Sequence, residues 1–439
     1  MAVAFGAMSH TVWRQEIRLD GIEPVEVAAA LRHLPGMVFF DTAGHVPSGA
    51  SRALSVIAAD PRQVLRGSIH NAADRQVLRA AIADAPRDSG DHGIPLGGLC
   101  GWIDYEGGFV FGDYPDMLVF CHETATWHGS GGLAAKMREN PDPHALVGDF
   151  HARHSREWFL DGVERIREWI AAGDIYQVNL AQAFEAELAG GSLFGLYRQL
   201  RDATPAPMAA WLALDGREVL CSSPETFLKI SGRRIETRPI KGTRPRFPDP
   251  DDDLRSAYEL QTSAKEIAEL VMITDLLRND LGQVCEFGTV EVAELLRLES
   301  LAQVHHLVST VTGMLRPGID AIEALAACFP GGSITGAPKK RAMEIIRELE
   351  QSPRGLYCGA IGWIGYHGEC QFNIAIRTLL RENGKLTYHT GAGIVADSDP
   401  LREYDETLHK AAGIRLAVER WRKQGEHPRV INHAAADRP

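Results

Sequence analysis

Phe159-Leu160-Asp161-Gly162-Val163-Glu164-Arg165-Ile166-Arg167-Glu168-Trp169-Ile170-Ala171-Ala172-Gly173-Asp174-Ile175-Tyr176-Gln177-Val178-Asn179-Leu180 decides the fold class. Phe159, Val163, Ile166 and Ile170 recur at steps of four, three and four, so they share one face of a helix. Gly173-Asp174 stops that helix, and Ile175 to Leu180 reads as the strand that follows. Beyond it, helix and strand signals mix without the regular alternation of a parallel doubly wound sheet. The expectation is an α+β chain with large antiparallel β-sheets.

Working outward, Met37 to Phe40 and Ala53 to Ala58 are short apolar runs bounded by turn residues, which read as strands. Gly97-Gly98-Leu99-Cys100-Gly101-Trp102 is glycine-rich, and Cys100, with no histidine motif near it, reads as a packing residue. Polar residues from Arg138 to His154 read as a connection. The expected organisation is an N-terminal region 1–145, a catalytic region 155–420 and a polar, frayed tail 421–439.

The chain has 439 residues, 45 % of them hydrophobic and 24 % charged, which is ordinary globular composition. Its net charge of −12 argues against general nucleic-acid binding, which relies on basic patches. No apolar run approaches the ~20 residues of a membrane span, and the N-terminus does not read as a signal peptide. Seven cysteines without a CxxC pair point to a reducing cytoplasm rather than a disulfide framework. An anionic substrate would need local cations against this acidic field.

Four stretches carry candidate chemistry. In Arg238-Pro239-Ile240-Lys241-Gly242-Thr243, Lys241 is either a surface-turn charge or a nucleophile. Free lysine titrates near ~10.4, so the second role needs desolvation or a helping neighbour. Lys265 to Asp280 reads as a helix on which Glu266 and Glu269 share a face, and Glu403 and Glu406 repeat that spacing. The pairs are either solvated helix faces or, brought together, oxygen ligands for Mg²⁺. Phe329 to Lys340, with five glycine or proline punctuations before a helix, is either a tight structural loop or an anion site at a helix N-terminus. His389-Thr390-Gly391-Ala392-Gly393-Ile394-Val395 is a second glycine-rich site, and Arg377 lies among apolar residues in Phe372 to Thr378. Such an arginine is paired internally or awaits a carboxylate.

In this order and spacing, from about Gly162 to Ala417, these segments resemble the chorismate-utilising enzymes: the anthranilate, aminodeoxychorismate, isochorismate and salicylate synthases. The resemblance implies that family's fold, two large antiparallel sheets packed as a sandwich with flanking helices. Gln177 stands where isochorismate- and salicylate-forming members carry a water-activating lysine. A neutral amide cannot be that base, which points to ammonia as the nucleophile. Where anthranilate synthases resemble Pro-Ile-Ala-Gly-Thr, this chain has Lys241, a mark of the aminodeoxychorismate synthase branch.

The resemblance implies these roles. Lys241 attacks chorismate C2 as the C4 hydroxyl leaves, and ammonia then adds at C4 to give 4-amino-4-deoxychorismate. Glu225 matches the acid, although relatives often have Arg where Thr226 stands. Glu266, Glu269, Glu403 and Glu406 match a Mg²⁺ cluster. Tyr357 and Arg377 match a grip on the enolpyruvyl carboxylate, joined by the backbone of Gly391, Ala392 and Gly393. Lys410 lies near the ring carboxylate, Ser333, Thr335 and Gly336 line the site, and His306 matches a substrate contact.

The implied partners are a glutamine amidotransferase subunit that supplies ammonia and a separate lyase downstream, towards p-aminobenzoate and folate. Phe39-Phe40-Asp41-Thr42 stands where feedback-inhibited anthranilate synthases resemble Leu-Leu-Glu-Ser. The alternatives are an anthranilate synthase component I, which would release pyruvate, and an inactive regulatory or binding relative.

Overall fold

The structure is a computed structural model that describes residues 19, 21–44, 53–85, 93–129, 132–141, 143–301 and 304–426. The opening helix forms over Arg156–Ala171, capped by Ser155, whose hydroxyl accepts from Trp158 N at 3.2 Å. A cap of this kind is worth about 0.5–2 kcal/mol. Phe159, Val163 and Ile166 are buried on its inner face against Val178 and Leu180. The strand that follows, Gln177–Ala189, runs well past Leu180.

The first sheet has the spatial order Gly336–Ala337, Gln177–Ala189, Lys385–Ile394, Thr378–Glu382, Arg217–Ser223, Met208–Leu214, Val38–Asp41, Leu54–Ala58, Met117–Cys121 and Thr126–His128. The second has the order Ile240–Pro245, Val304–Met314, Arg234–Arg238, Thr226–Ser231, Cys370–Ile374, Ala360–Gly365, Gly98–Ile103, Gly108–Tyr114 and Gln63–Ser68, with Glu291–Ser300 also on Val304–Met314. The ladders within both sheets are antiparallel.

Side chains alternate across each strand, and the alternation builds the layers. Val38 and Phe40 face inward, with Ala210, Leu212, Val219 and Cys221, to meet Cys100, Trp102, Val110 and Trp363 of the second sheet. Phe39, Trp211, Leu220 and Tyr388 point the other way, onto helices that supply Leu31, Leu196, Leu200, Ile414 and Val418. The outer face of the second sheet is covered by Leu78, Leu281, Ile322 and Leu325 from its own helices. The result is the expected α+β sandwich with flanking helices, in which each buried Leu or Phe contributes about 1.5–3 kcal/mol.

Both sheets run continuously across the boundary expected near 145–155, because the N-terminal region contributes three or more strands to each. The frayed tail expected from 421 does not begin at Trp421. Helix Ala412–Glu426 carries Trp421, which is buried, stacks on His144 and donates its indole N–H to Ala145 O at 2.9 Å. Residues 427–439 lie outside the described residues. Cys100 packs in the core between the sheets, and all seven cysteines are free and buried. No helix among the described residues is long and apolar enough to cross a membrane.

Two crossings between the sheets lie side by side. Ser223-Pro224-Glu225-Thr226 leads from the first sheet to the second, and Ile374 to Thr378 leads back. Ser222 N donates to Arg377 O and Ile374 N to Glu225 O, each at 3.1 Å, so Glu225 and Arg377 are held at one seam.

Candidate active site

Lys241 reaches that seam through a bulge. Its strand pairs with Val304–Met314, Lys241 opposite Leu307 and Thr243 opposite His306, and the register shifts between them at Gly242. Gly242 has φ +71°, a left-handed backbone that favours glycine, and a β-carbon there would lie 3.1 Å from Oε2 of Glu266. The bulge re-aims the neighbouring side chain. Lys241 Nζ comes to rest 3.6 Å from where a β-carbon on Gly393 would be. It forms no ion pair or hydrogen bond among the described residues, yet its charge is felt by Glu225, Glu269 and Glu406.

Glu225 is buried. Burial pushes its carboxyl up to about 7, while a hydrogen bond from Ser333, the charge of Lys241, the Ile240 N–H and Lys410 pull the other way. A carboxyl poised there can give or take a proton at neutral pH.

Gly391 and Gly393 leave a hollow on one face of the Lys385–Ile394 strand. A β-carbon on Gly391 would lie 2.8 Å from Asn179 Oδ1 and 3.1 Å from the Tyr357 hydroxyl, and one on Gly393 would collide with Nε2 of Gln177. Lys410 Nζ donates to Gly391 O at 3.0 Å. Gln177 Oε1 and Asn179 Oδ1 are buried without a partner among the described residues. Tyr357 is held by stacking on His389, 5.1 Å between centroids at 13°. Ala392 points its side chain to the opposite face, into the Phe159 cluster, so only its backbone can belong to the hollow.

His306 Nδ1 lies 3.1 Å from both Gly242 O and Thr243 Oγ1. A carbonyl only accepts, so Nδ1 carries the hydrogen towards Gly242 and Nε2 is a bare acceptor, buried without a partner among the described residues. Burial, with Arg377 nearby, lowers the pKa of this ring to about 4. The Arg377 guanidinium has no ion pair or hydrogen bond among the described residues; burial lowers its pKa and Glu225 opposes that.

The Phe329–Lys340 loop serves the site differently from the anion loop that its glycines suggested. Thr335 Oγ1 donates to its own loop, at 3.2 Å to Gly331 O and Gly332 O, and Gly336 pairs with Val178. Ser333 is the loop side chain that bears on Glu225, favouring its ionised form.

The two glutamate pairs are brought to the same region by helices Ala264–Gly282 and Pro400–Lys410. Asp399 caps the second, and Thr390 Oγ1 donates to Thr407 O at 2.8 Å, fixing it to the first sheet. Lys265 binds Glu403 at 3.1 Å, Lys410 binds Glu406 at 2.7 Å, and Arg244 lies 3.5 Å from Glu266. Burial raises the Glu269 carboxyl's pKa, with Glu266 and Glu406 adding to it against Lys241 and Lys265. Burial also resists charge on Glu406, but Lys410, Lys265 and Lys241 outweigh it and hold that carboxyl low.

Sequence reasoning missed Asn179, Lys265, Ser398, Glu350 and Arg354. Asn179 was findable, since it lies two residues from Gln177 and therefore on the same strand face. Ser398 donates to Glu403 at 2.7 Å from a turn whose shape no short motif announces.

Residues 115–415 match the chorismate binding enzyme family, over two thirds of the chain. The chain belongs to the chorismate binding enzyme family. It is 37 % identical to anthranilate synthase component 1 of Streptomyces coelicolor over 95 % of this chain and 91 % of that protein. It is 46 % identical to aminodeoxychorismate synthase component 1 of Escherichia coli over 63 % of this chain, and spans 60 % of that relative's length. Anthranilate synthase component I of Streptococcus pneumoniae shares the fold at a TM-score of 0.73 and 27 % identity, covering 92 % of this chain and 99 % of that one.

For a chorismate binding enzyme the local charge is suited to an anion. Lys241, Lys410 and Arg377 face the seam of a chain with net charge −12. Mg²⁺, which the family resemblance implies, finds the right donor chemistry: four carboxylates, one of whose oxygens, Glu403 Oε2, is buried without a partner among the described residues. Among the described residues, however, no three candidate ligands converge on a metal position, and lysines neutralise Glu403 and Glu406 instead.

Proposed function

We propose that the chain is the chorismate-aminating component of an aminodeoxychorismate synthase, taking ammonia from a glutamine amidotransferase partner. The observation that carries the reading is Lys241 Nζ, 3.6 Å from where a β-carbon on Gly393 would be and near enough for its charge to act on the Glu225 carboxyl. An alanine at 241 would leave that position without a nucleophile.

Chorismate enters as a dicarboxylate, with Tyr357, Arg377 and the Gly391–Gly393 backbone at its enolpyruvyl carboxylate. Lys241, as the free amine, adds to ring C2. The C1=C2 bond moves to C1=C6, C5=C6 moves to C4=C5, and the C4–O bond breaks. Glu225 protonates the departing hydroxyl, which leaves as water, and recovers a proton from the new ammonium. Ammonia then adds at C4, the double bonds move back, and the C2–N bond breaks as the lysine nitrogen takes up a proton from Glu225, releasing Lys241 as the free amine while the new C4 ammonium returns a proton to Glu225. The sum is chorismate plus ammonia to 4-amino-4-deoxychorismate plus water, with the enolpyruvyl ether intact. Covalent catalysis thus splits one substitution into two. Glu266, Glu269, Glu403 and Glu406 would hold Mg²⁺, which when bound supplies positive charge for the ring carboxylate. Gln177, an amide, offers no base for water.

The test is incubation with chorismate, Mg²⁺ and ammonium. Aminodeoxychorismate forms, and pyruvate appears only after a separate lyase is added. Prompt anthranilate and pyruvate would overturn the reading in favour of anthranilate synthase, a name that relatives of this chain also bear.

A further inference from the structure

Arg354 and Glu350 take no part in the steps above, yet they form an ion pair almost wholly removed from water beside them, with side-chain exposures of 1 % and 7 %. Arg354 Nε donates to Glu350 Oε2 at 2.9 Å and Nη2 to Oε1 at 2.7 Å, a bidentate clamp. The remaining guanidinium donors tie two backbone segments together: Nη2 to Asn179 O at 2.8 Å and Nη1 to Ile334 O at 3.1 Å. Glu350 Oε1 also accepts from Ala181 N at 3.0 Å. The guanidinium lies 5.8 Å from the centre of the Tyr357 ring. A buried ion pair is no better for stability than well-packed apolar side chains of the same volume. What it adds here is direction. Asn179 is two residues from Gln177, and Ile334 lies between Ser333 and Thr335.

We infer that Arg354, locked by Glu350, is a positioning residue that fixes the Ser333 loop against the Gln177 strand and so holds the Ser333 hydroxyl on Glu225. The inference rests on the reading of Glu225 as the proton donor. Lysine in place of Arg354 keeps the charge but cannot form the planar fork, so the loop loses its tether. The groups facing Glu225 are Lys241, Lys410, Arg377, Cys358 and Ser333. Only the last is tethered by Arg354 through the adjacent Ile334 carbonyl. Because the Ser333 bond favours the ionised carboxyl, its loss raises the pKa of Glu225 and moves the alkaline limb of kcat to higher pH.

The experiment is a double-mutant cycle of Arg354→Lys and Ser333→Ala, followed by chorismate consumption across pH with thermal unfolding in parallel. R354K should lower kcat by about 10²-fold, the scale of an ångström misplacement, and leave KM for chorismate nearly unchanged. Its alkaline limb should shift up as that of S333A does, and the double variant should be no worse than S333A. Losses that multiply, or an R354K limb that stays at the wild-type pH while the S333A limb moves, overturn the positioning role. An S333A limb that does not move removes the acid role from Glu225 itself, a separate failure. If R354K does not fold, Glu350→Gln with Arg354→Gln removes both charges together and should show the same shift; an unmoved limb there overturns the inference.

Discussion

A β-carbon placed on Gly393 would lie 3.6 Å from Nζ of Lys241 and would strike Nε2 of Gln177. The hollow exists because that side chain is missing. Gly393 has ordinary strand backbone and pairs with Asn179, so alanine is conformationally acceptable there. Gly393→Ala should therefore keep the melting temperature within a few degrees while chorismate turnover falls about 100-fold, since the displaced groups are those that address the substrate. Near-normal turnover in a folded G393A protein would show that the hollow is not where chorismate reacts.

If Lys241 adds to C2, withholding ammonia should strand the adduct. Intact-protein mass spectrometry after incubation with chorismate and Mg²⁺ should show a gain equal to chorismate less one water, mapped by peptide digestion to Lys241. Lys241→Ala should show none. An adduct of the same mass on the K241A protein would contradict the covalent step.

Lys265 occupies Glu403, leaving only Oε2 of that carboxylate free. Burial lowers the pKa of Lys265, but Glu403, Glu269 and Glu406 outweigh it and hold the ammonium charged. A cation arriving at these carboxylates must compete with that charge. Lys265→Met should therefore bind Mg²⁺ several-fold more tightly in the absence of chorismate, read by calorimetry or by the Mg²⁺ dependence of the melting temperature. Weaker binding in K265M would mean that the lysine helps to hold the site rather than blocking it.

The fold class was legible because periodicity is local. Phe159, Val163 and Ile166 announce their helix face, and Val38-Phe39-Phe40 announces a strand, without knowledge of what covers them. The continuity of the two sheets across residues 145–155 was not legible, since antiparallel partners such as Val38 and Leu212 are far apart in sequence and no short-range signal fixes the pairing. Of the site, Lys241 and the glutamate pairs stood out by residue type and spacing, and Glu225 through the family resemblance alone. Arg354 did not, because its role lies in two backbone carbonyls that any residues could supply. Trp421 was placed in a frayed tail for the same reason: its polar neighbours were visible, and its seat against His144 was not.

Glu225 joins activity to stability. In the unfolded chain its carboxyl titrates near 4.5, and in the folded protein burial raises it to about 7. Between those values the native state keeps a proton that the unfolded state has lost, so stability falls as pH rises through this window and the loss is complete above it. A gap of this size is worth about 3 kcal/mol. Glu225→Gln cannot ionise and escapes the penalty. It should be inactive at every pH, close to wild type in stability near pH 4.5, and more stable by about 3 kcal/mol at pH 8 in urea unfolding. In the wild type, the same titration should end activity on the alkaline side, because a general acid must hold its proton. A stability gain in E225Q that is equal at both pH values would place the carboxyl's pKa at its ordinary value, and Glu225 would then be ionised at neutral pH and unfit to protonate the leaving hydroxyl.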